Sequence, residues 1–183
     1  MAQFNMIEGK KVVLDFSLQE ITHLSHIKRW GIVKMDRSQS VAEHSYNVAM
    51  ISCAIVNAIP PHLRTSGLRD AVTNWALFHD LPEVYTGDIP TPVKGFIRDG
   101  LAELEGEMFP KYIELKNALS AEVVAICKAA DLIEAIAYGQ AHCADDRADG
   151  LLIDMHDILD NLMFNCRMDC LGHVADAVEV MRG

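Results

Sequence analysis

Apolar residues recur at helical spacing along nearly the whole chain, and outside a short stretch from Lys11 to Phe16 no segment alternates as a strand does. That pattern excludes a sheet-based architecture and predicts an all-α fold. The first helix is expected from about Ser17 to Ile27, with Leu18, Ile21, Leu24 and Ile27 on one stripe, stopping before Arg29-Trp30-Gly31. The second starts at Ser40, where Ser40-Val41-Ala42-Glu43 has the form of a capping box, and must end at Pro60-Pro61. A third covers roughly Gly67 to Tyr85 and gives way to Thr86-Gly87-Asp88-Ile89-Pro90-Thr91-Pro92, an ordered loop by its glycine and prolines. The fourth spans Ile97 to Asn117 with a bend at Pro110. Ser120 caps a fifth from Ala121 to about Tyr138, and two more cover Leu151 to Cys170 and Gly172 to Met181. With no repeat and no linker composition, residues 1–183 read as a single domain.

Composition narrows the class of function. Half of the residues are apolar, enough for a sizeable core and too many for a disordered chain. The net charge of −10 would repel a nucleic-acid polymer, which is therefore not an expected partner. No apolar run approaches the about 18 residues of a membrane span, and the N-terminus lacks a signal pattern, so a cytoplasmic location away from membranes is expected. Cys53, Cys127, Cys143, Cys166 and Cys170 are odd in number, contain no CxxC pair and fall largely in apolar helical stretches, which predicts free thiols.

Ligand-type residues interrupt apolar helix faces at three places. His44 lies on the stripe Val41, His44, Val48, Ile51, where a hydrophobic residue belongs. His79 continues Leu68, Val72 and Trp75 and is followed at once by Asp80. Asp131 falls inside the apolar run Ala125 to Ile133. Singly, each has an ordinary explanation as a hydrogen-bonded core residue. Together, two imidazoles and two carboxylates that are costly to bury unpaired make a mixed nitrogen and oxygen site for one divalent transition metal. Glu83, four residues after His79, shares its face if the third helix continues, and can reach a water bound to that metal without being a ligand itself. Asp88, in the Thr86-Gly87-Asp88 turn, is a second candidate for holding that water, a ligand or an extra magnesium.

This order of His44, then His79-Asp80, then Asp131 resembles the HD-domain phosphohydrolases. The resemblance implies a compact helical bundle and assigns these residues as ligands of a catalytic Zn, Co or Mn. The absence of histidine between His79 and His142 points to a single protein-bound metal. Arg29-Trp30, Ala42-Glu43-His44-Ser45, His79-Asp80-Leu81-Pro82-Glu83-Val84 and Thr86 to Lys94 are similar to the YfbR-type 5'-deoxynucleotidases. In that group the Arg approaches the phosphate and the Trp packs on the sugar, which assigns these roles to Arg29 and Trp30. A planar guanidinium suits phosphate oxygens, and an indole face leaves a ribose 2'-hydroxyl crowded and unpaired.

Gly31-Ile32 after Arg29-Trp30, Pro92 with Lys94, and Lys128 three residues before Asp131 resemble the phage dATP triphosphohydrolases within the same superfamily. That resemblance places Ile32 against the purine 2-position, admitting adenine and rejecting guanine or 2-aminoadenine. It assigns Lys94 and Lys128 to the longer phosphate chain, with additional Mg an option there. The implied reaction is dATP plus water to deoxyadenosine plus triphosphate, with dNMP hydrolysis as the alternative. The resemblance also implies a homo-oligomer, dimer or hexamer, and a host cytoplasm if phage-encoded.

Overall fold

Helices make up most of residues 10–182, the part of the chain that the computed structural model describes. The chain enters as a small hairpin, β1 (Lys11–Val13) against β2 (Phe16–Ser17), turning through Leu14 and Asp15, both at positive φ. Ser17 then caps α1 (Leu18–His23) with a complete capping box: its hydroxyl accepts from the Glu20 N–H, and the Glu20 carboxylate accepts from the Ser17 N–H. Glu20 is fully buried and also accepts from Lys11 Nζ at 2.9 Å and from the Tyr85 hydroxyl. This carboxylate therefore ties the hairpin to the chain beyond the third helix.

The order continues α2 (Val41–Ala58), a 3-10 turn at Pro61–Leu63, α3 (Leu68–Phe78), α4 (Glu83–Thr86), α5 (Thr91–Lys94), α6 (Arg98–Met108), α7 (Pro110–Asn117), α8 (Ala121–His142), α9 (Arg147–Met168) and α10 (Gly172–Arg182). The main core lies where α2, α3, α8 and α10 meet, with Val48, Ile55, Val72, Ile126, Val174 and Val178 fully buried. Ala76, Ala129 and Ala130, also fully buried, let the central helices approach closely. A second cluster of Phe16, Leu24, Val41, Leu81, Phe109 and Tyr112 joins the hairpin and α7 to this bundle.

Several boundaries differ from the expectations, each for a local reason. The third helix stops at Phe78 rather than Tyr85, because Pro82 has no N–H for the Phe78 carbonyl; the Leu81 N–H takes that oxygen at 3.0 Å in a tighter turn. The bend at Pro110 is a full break: Phe109 is non-helical (φ −134°, ψ 59°) and Pro110 opens α7. The first helix ends at His23, short of Ile27, while α8 runs on to His142 and α9 begins early, at Arg147. The loop before α2 is closed on itself by the Arg29 N–H, which donates to the Gln39 carbonyl at 3.0 Å, and held to α8 by the Asp36 N–H, which donates to the His142 carbonyl at 2.9 Å. All five cysteines are free, as expected. Among the described residues no helix is long and apolar enough to cross a membrane.

Candidate metal centre and nucleotide cleft

Helix α2 places His44 in the core, and the end of α3 places His79 and Asp80 opposite it. Pro82 has a part in this, since the turn it enforces carries Asp80 off the helix. The three side chains offer ligand atoms within 4.8 Å of one another. Asp80 Oδ2 lies 3.6 Å from His44 Nε2 and 3.3 Å from His79 Nε2. The other ring nitrogens are taken: His44 Nδ1 meets Glu134 Oε2 at 2.6 Å, and His79 Nδ1 meets the Ala76 carbonyl at 2.8 Å. Carbonyl and carboxylate oxygens only accept, so each Nδ1 carries a hydrogen and each Nε2 is the ring atom left to face Asp80. Both Nε2 atoms are buried without a hydrogen-bond partner. A polar atom stranded in this way costs about 1–3 kcal/mol, and two imidazoles and a carboxylate converging on one point fit a divalent transition metal.

Asp131, on α8, approaches from one side only. Its Oδ1 lies 3.3 Å from His44 Nε2, and its Oδ2 is held by Lys128 Nζ at 2.7 Å. The close-knit cluster is thus three residues, with the fourth expected ligand beside it. Electrostatics agree with a cation at this point. Burial and the Arg29 charge press a proton off His44, yet Asp131 and Glu134 more than offset them and push the imidazole up to about 9. A positive charge at His44 Nε2 is favoured, and a divalent ion supplies it as well as a proton does. Asp131 is held well below the usual carboxylate range: burial opposes this, but the Lys128 and His44 charges prevail.

Glu83 does not continue the face of His79 on one helix, as the sequence spacing suggested, since it opens α4 after the break. It is nonetheless buried rather than solvated, with Lys94 Nζ 3.1 Å from Oε1 and Oε2 without a partner. Burial and then the Asp80 charge push its carboxyl up to about 8, with Lys94 and Arg29 pulling the other way. Such a group exchanges protons near neutrality. Asp88 positions the Arg29-Trp30 pair, since its Oδ2 accepts the Trp30 backbone N–H at 3.3 Å and its Oδ1 lies 3.6 Å from Arg29 Nη1.

Two adjoining cavities open from this cluster. One, of about 150 Å³, is lined by Arg29, Trp30, Ile32, Pro92, Lys94 and Lys128 among others, so every sequence-predicted substrate residue faces it. The other, of about 350 Å³, shares Asp80, Lys94, Lys128 and Asp131 and extends past Glu83 and Tyr112 to Lys116. Trp30 forms a wall of the first cavity with its backbone in the left-handed region (φ +66°), a strained conformation for a bulky residue. Its indole packs on α8, stacked near Tyr138 at 6.3 Å, where Gly139 leaves room: a Cβ there would fall 3.1 Å from Trp30 Cη2 and 2.7 Å from Leu152 Cδ2.

Two residues of the site are not evident from the sequence. Glu134, buried, accepts from His44, from Gln39 Nε2 at 2.6 Å and from Asn47 Nδ2 at 3.0 Å. Gln39 is buried beside it and accepts the Trp30 indole N–H at 3.1 Å. The spacing of Glu134 from Asp131, three residues along one helix face, is the available signal for the first. Gln39 lies in a loop without periodicity and gives none.

A family model described as 5'-deoxynucleotidase YfbR-like matches residues 17–99, the stretch carrying His44, His79, Asp80, Glu83 and Asp88. A dATP triphosphohydrolase of Salmonella phage PMBT28 is 34% identical over 152 residues, covering 77% of this chain and 77% of that protein. The chain belongs to the phage dATP triphosphohydrolase family. A further member of that family, from Acinetobacter phage SH-Ab 15497, is 33% identical over 147 residues, covering 72% of this chain and 70% of that one. Among solved structures, the Cyanophage S-2L HD phosphohydrolase (DatZ), bound to dA and one catalytic Zn2+ ion, matches with a TM-score of 0.80 and 27% identity over 91% of this chain and 94% of that chain. This family member therefore has the all-α HD fold and is an HD-type phosphohydrolase.

Proposed function

We propose that the chain acts as one HD domain that hydrolyses dATP to deoxyadenosine and triphosphate, with His44, His79, Asp80 and Asp131 holding a single Zn, Co or Mn ion. The observation that carries this reading is the pair of buried, unpartnered Nε2 atoms facing Asp80 where two cavities join. A divalent ion at that point supplies Lewis acidity toward a phosphoryl oxygen and acidifies water. The side chains supply the rest. Arg29, held by Asp80 and Asp88, presents its guanidinium to the α-phosphate. Glu83, whose free oxygen has no other partner, accepts the proton of the water that attacks phosphorus; the bond to the 5'-oxygen breaks, and the proton passes on to that oxygen to give deoxyadenosine. Trp30 lies against the sugar, Ile32 and Pro92 border the base, and Asp88 fixes the Arg29-Trp30 pair.

The second cavity favours the triphosphate over a monophosphate. Lys94 and Lys128 line both cavities, so a chain of phosphates leaving the metal cluster meets positive charge in a space of about 350 Å³ that a monophosphate would leave unused. Additional Mg can accompany those phosphates. Incubating the purified protein with each dNTP, each dNMP and ATP, then separating the products, tests the reading. Release of deoxyadenosine and triphosphate from dATP is expected, whereas equal turnover of all dNMPs with none of dATP would sink it. The second reading, a 5'-deoxynucleotidase acting on dNMPs, is favoured by the match of residues 17–99 to the YfbR-like family. The dATP reading extends to a homo-oligomer, dimer or hexamer, in the cytoplasm of a phage host, where removing dATP would favour 2-aminoadenine in the genome. Light scattering on the eluted protein tests the oligomer.

A further inference from the structure

Four buried side chains form an unbroken hydrogen-bond line from the cleft wall to the metal cluster. The Trp30 indole N–H donates to Gln39 Oε1 at 3.1 Å, Gln39 Nε2 donates to Glu134 Oε1 at 2.6 Å, and His44 Nδ1 lies 2.6 Å from Glu134 Oε2. Each link admits one orientation only. An indole nitrogen can only donate, which fixes the carbonyl end of Gln39 toward Trp30 and its amide end toward Glu134. A carboxylate can only accept, which fixes a hydrogen of His44 on Nδ1 and leaves Nε2 to face the cluster. Glu134 Oε1 also accepts from Asn47 Nδ2 at 3.0 Å, so the carboxylate faces donors from Gln39, Asn47 and His44 together.

We propose that Gln39 is a positioning residue that ties the Trp30 wall of the nucleotide cleft to the metal ligand His44 through Glu134, so that one buried line of hydrogen bonds sets both the cleft wall and the aim of the ligand. Both ends of the line need such support. Trp30 has a strained backbone and must be held from both sides, by Asp88 at its N–H and by Gln39 at its indole. His44 reaches the cluster through one nitrogen, and a ring free to rotate or change tautomer would lose that aim. Gln39 touches neither the cluster nor the cleft, because its polar atoms are consumed by Trp30 and Glu134 and the residue is 1% exposed. Its side chain acts wholly through those two partners, while its backbone carbonyl, which accepts the Arg29 N–H at 3.0 Å, is unaltered by a side-chain substitution. The sugar part of this inference rests on the reading of Trp30 given above; the metal part does not.

Three variants test it: Gln39→Met, which keeps the shape and removes both polar ends; Glu134→Gln, which replaces the acceptor of His44; and Trp30→Phe, which removes the indole donor together with one ring of the wall. Zinc affinity of the metal-stripped proteins, measured by competition with a chromogenic chelator, is the first readout and needs no substrate. The ratio of kcat/KM for dATP against ATP is the second. Glu134→Gln should weaken zinc about 10- to 100-fold, the usual effect of losing a group that orients a ligand. Gln39→Met should weaken zinc severalfold and lower the dATP to ATP ratio together. In a double-mutant cycle on zinc affinity, Trp30→Phe and Gln39→Met should be non-additive, although Trp30 is not a ligand. Wild-type zinc affinity and wild-type sugar discrimination in a folded Gln39→Met protein would overturn the proposal, as would strict additivity in the cycle. If Gln39→Met fails to fold, Trp30→Phe decides alone: unchanged zinc affinity overturns the proposal. Coupled zinc affinities in a protein that ignores dATP would instead reject the substrate reading and leave the line to His44 standing. A wild-type protein that binds no zinc would overturn both the metal centre and the coupling.

Discussion

The two halves of the site are built from different material. The half that gathers His44, His79, Asp80 and Asp131 stands on α2, the end of α3 and α8, the helices that bury Val48, Val72 and Ile126 completely. The half that lines the cleft is mostly loop and single-turn helix, from Arg29 to Gln39 and from Gly87 to Lys94, with Ile32 46% exposed. Ligand atoms must stay within tenths of an ångström of their places, and packed helices provide that; a recognition surface needs side chains that can be exchanged without unsettling the bundle. Away from the single line Trp30–Gln39–Glu134–His44 that joins the two halves, chemistry and selectivity should therefore respond separately to mutation.

The sharpest way to break this contrast is at Asp80. Asp80→Ala removes the carboxylate that both Nε2 atoms face, and hydrolysis of the preferred nucleotide should fall by about 10³-fold in steady-state assays, equivalent to several kcal/mol of transition-state stabilisation. Full retained activity would dissolve the metal half as described. Ile126→Ala in the bundle should cost about 2–5 kcal/mol in urea denaturation, while the protein still folded keeps its base preference. A change of preference there would show that the two halves are not separable.

Glu20 lies between the regions, tying the hairpin to Tyr85 just before the Gly87–Lys94 loop. Burial pushes its carboxyl up, but the Ser17 N–H and the Lys11 charge win and hold it below the ordinary 4.5. The stabilisation is therefore complete above that pH and is lost as pH falls through the lower folded value. Glu20→Gln should lower stability by about 1–2 kcal/mol at neutral pH and flatten the acid loss, as read by denaturation across pH 2.5 to 7, a range of about two units either side of the ordinary carboxylate value. A variant with the wild-type acid profile would remove Glu20 from this role.

Smaller effects belong to the cleft. Ile32→Ala should raise turnover of dGTP relative to dATP by about tenfold with stability within about 0.5 kcal/mol of the parent. An unchanged base ratio would count against an Ile32 gate. Lys94→Met should move the acid limb of kcat/KM to higher pH, because the Lys94 charge lowers a Glu83 carboxyl that burial and Asp80 raise to about 8. A limb that stays in place, or moves down, would separate Glu83 from the proton transfer.

How much of this can be read from the sequence follows the same division. His44, His79 and Asp131 are visible because each breaks an apolar stripe on a regular helix, where an intruding polar side chain needs a reason. Pro82 is also visible, yet the apolar periodicity carries the expected helix through it; the chain ends α3 at Phe78, and that break brings Asp80 to the cluster. Glu134 is hidden by its place one turn beyond Asp131, where it reads as an ordinary polar residue of α8. Gln39 cannot be found from periodicity, since its partners are 9 and 95 residues away and meet it only through the packing of a loop on α8.

Gly139 carries a consequence for how such a cleft can change. A glycine within a helix costs about 1 kcal/mol relative to alanine, so a methyl group at this position of α8 would strengthen an ordinary helix. Here the same methyl would collide with Leu152 and press on the indole of Trp30. The span of the cleft is thus written partly on the back of its wall, at a residue that lines neither of the two cavities at the cluster. A lineage could resize the site from there by adding single carbon atoms, with every ligand, lysine and carboxylate left in place.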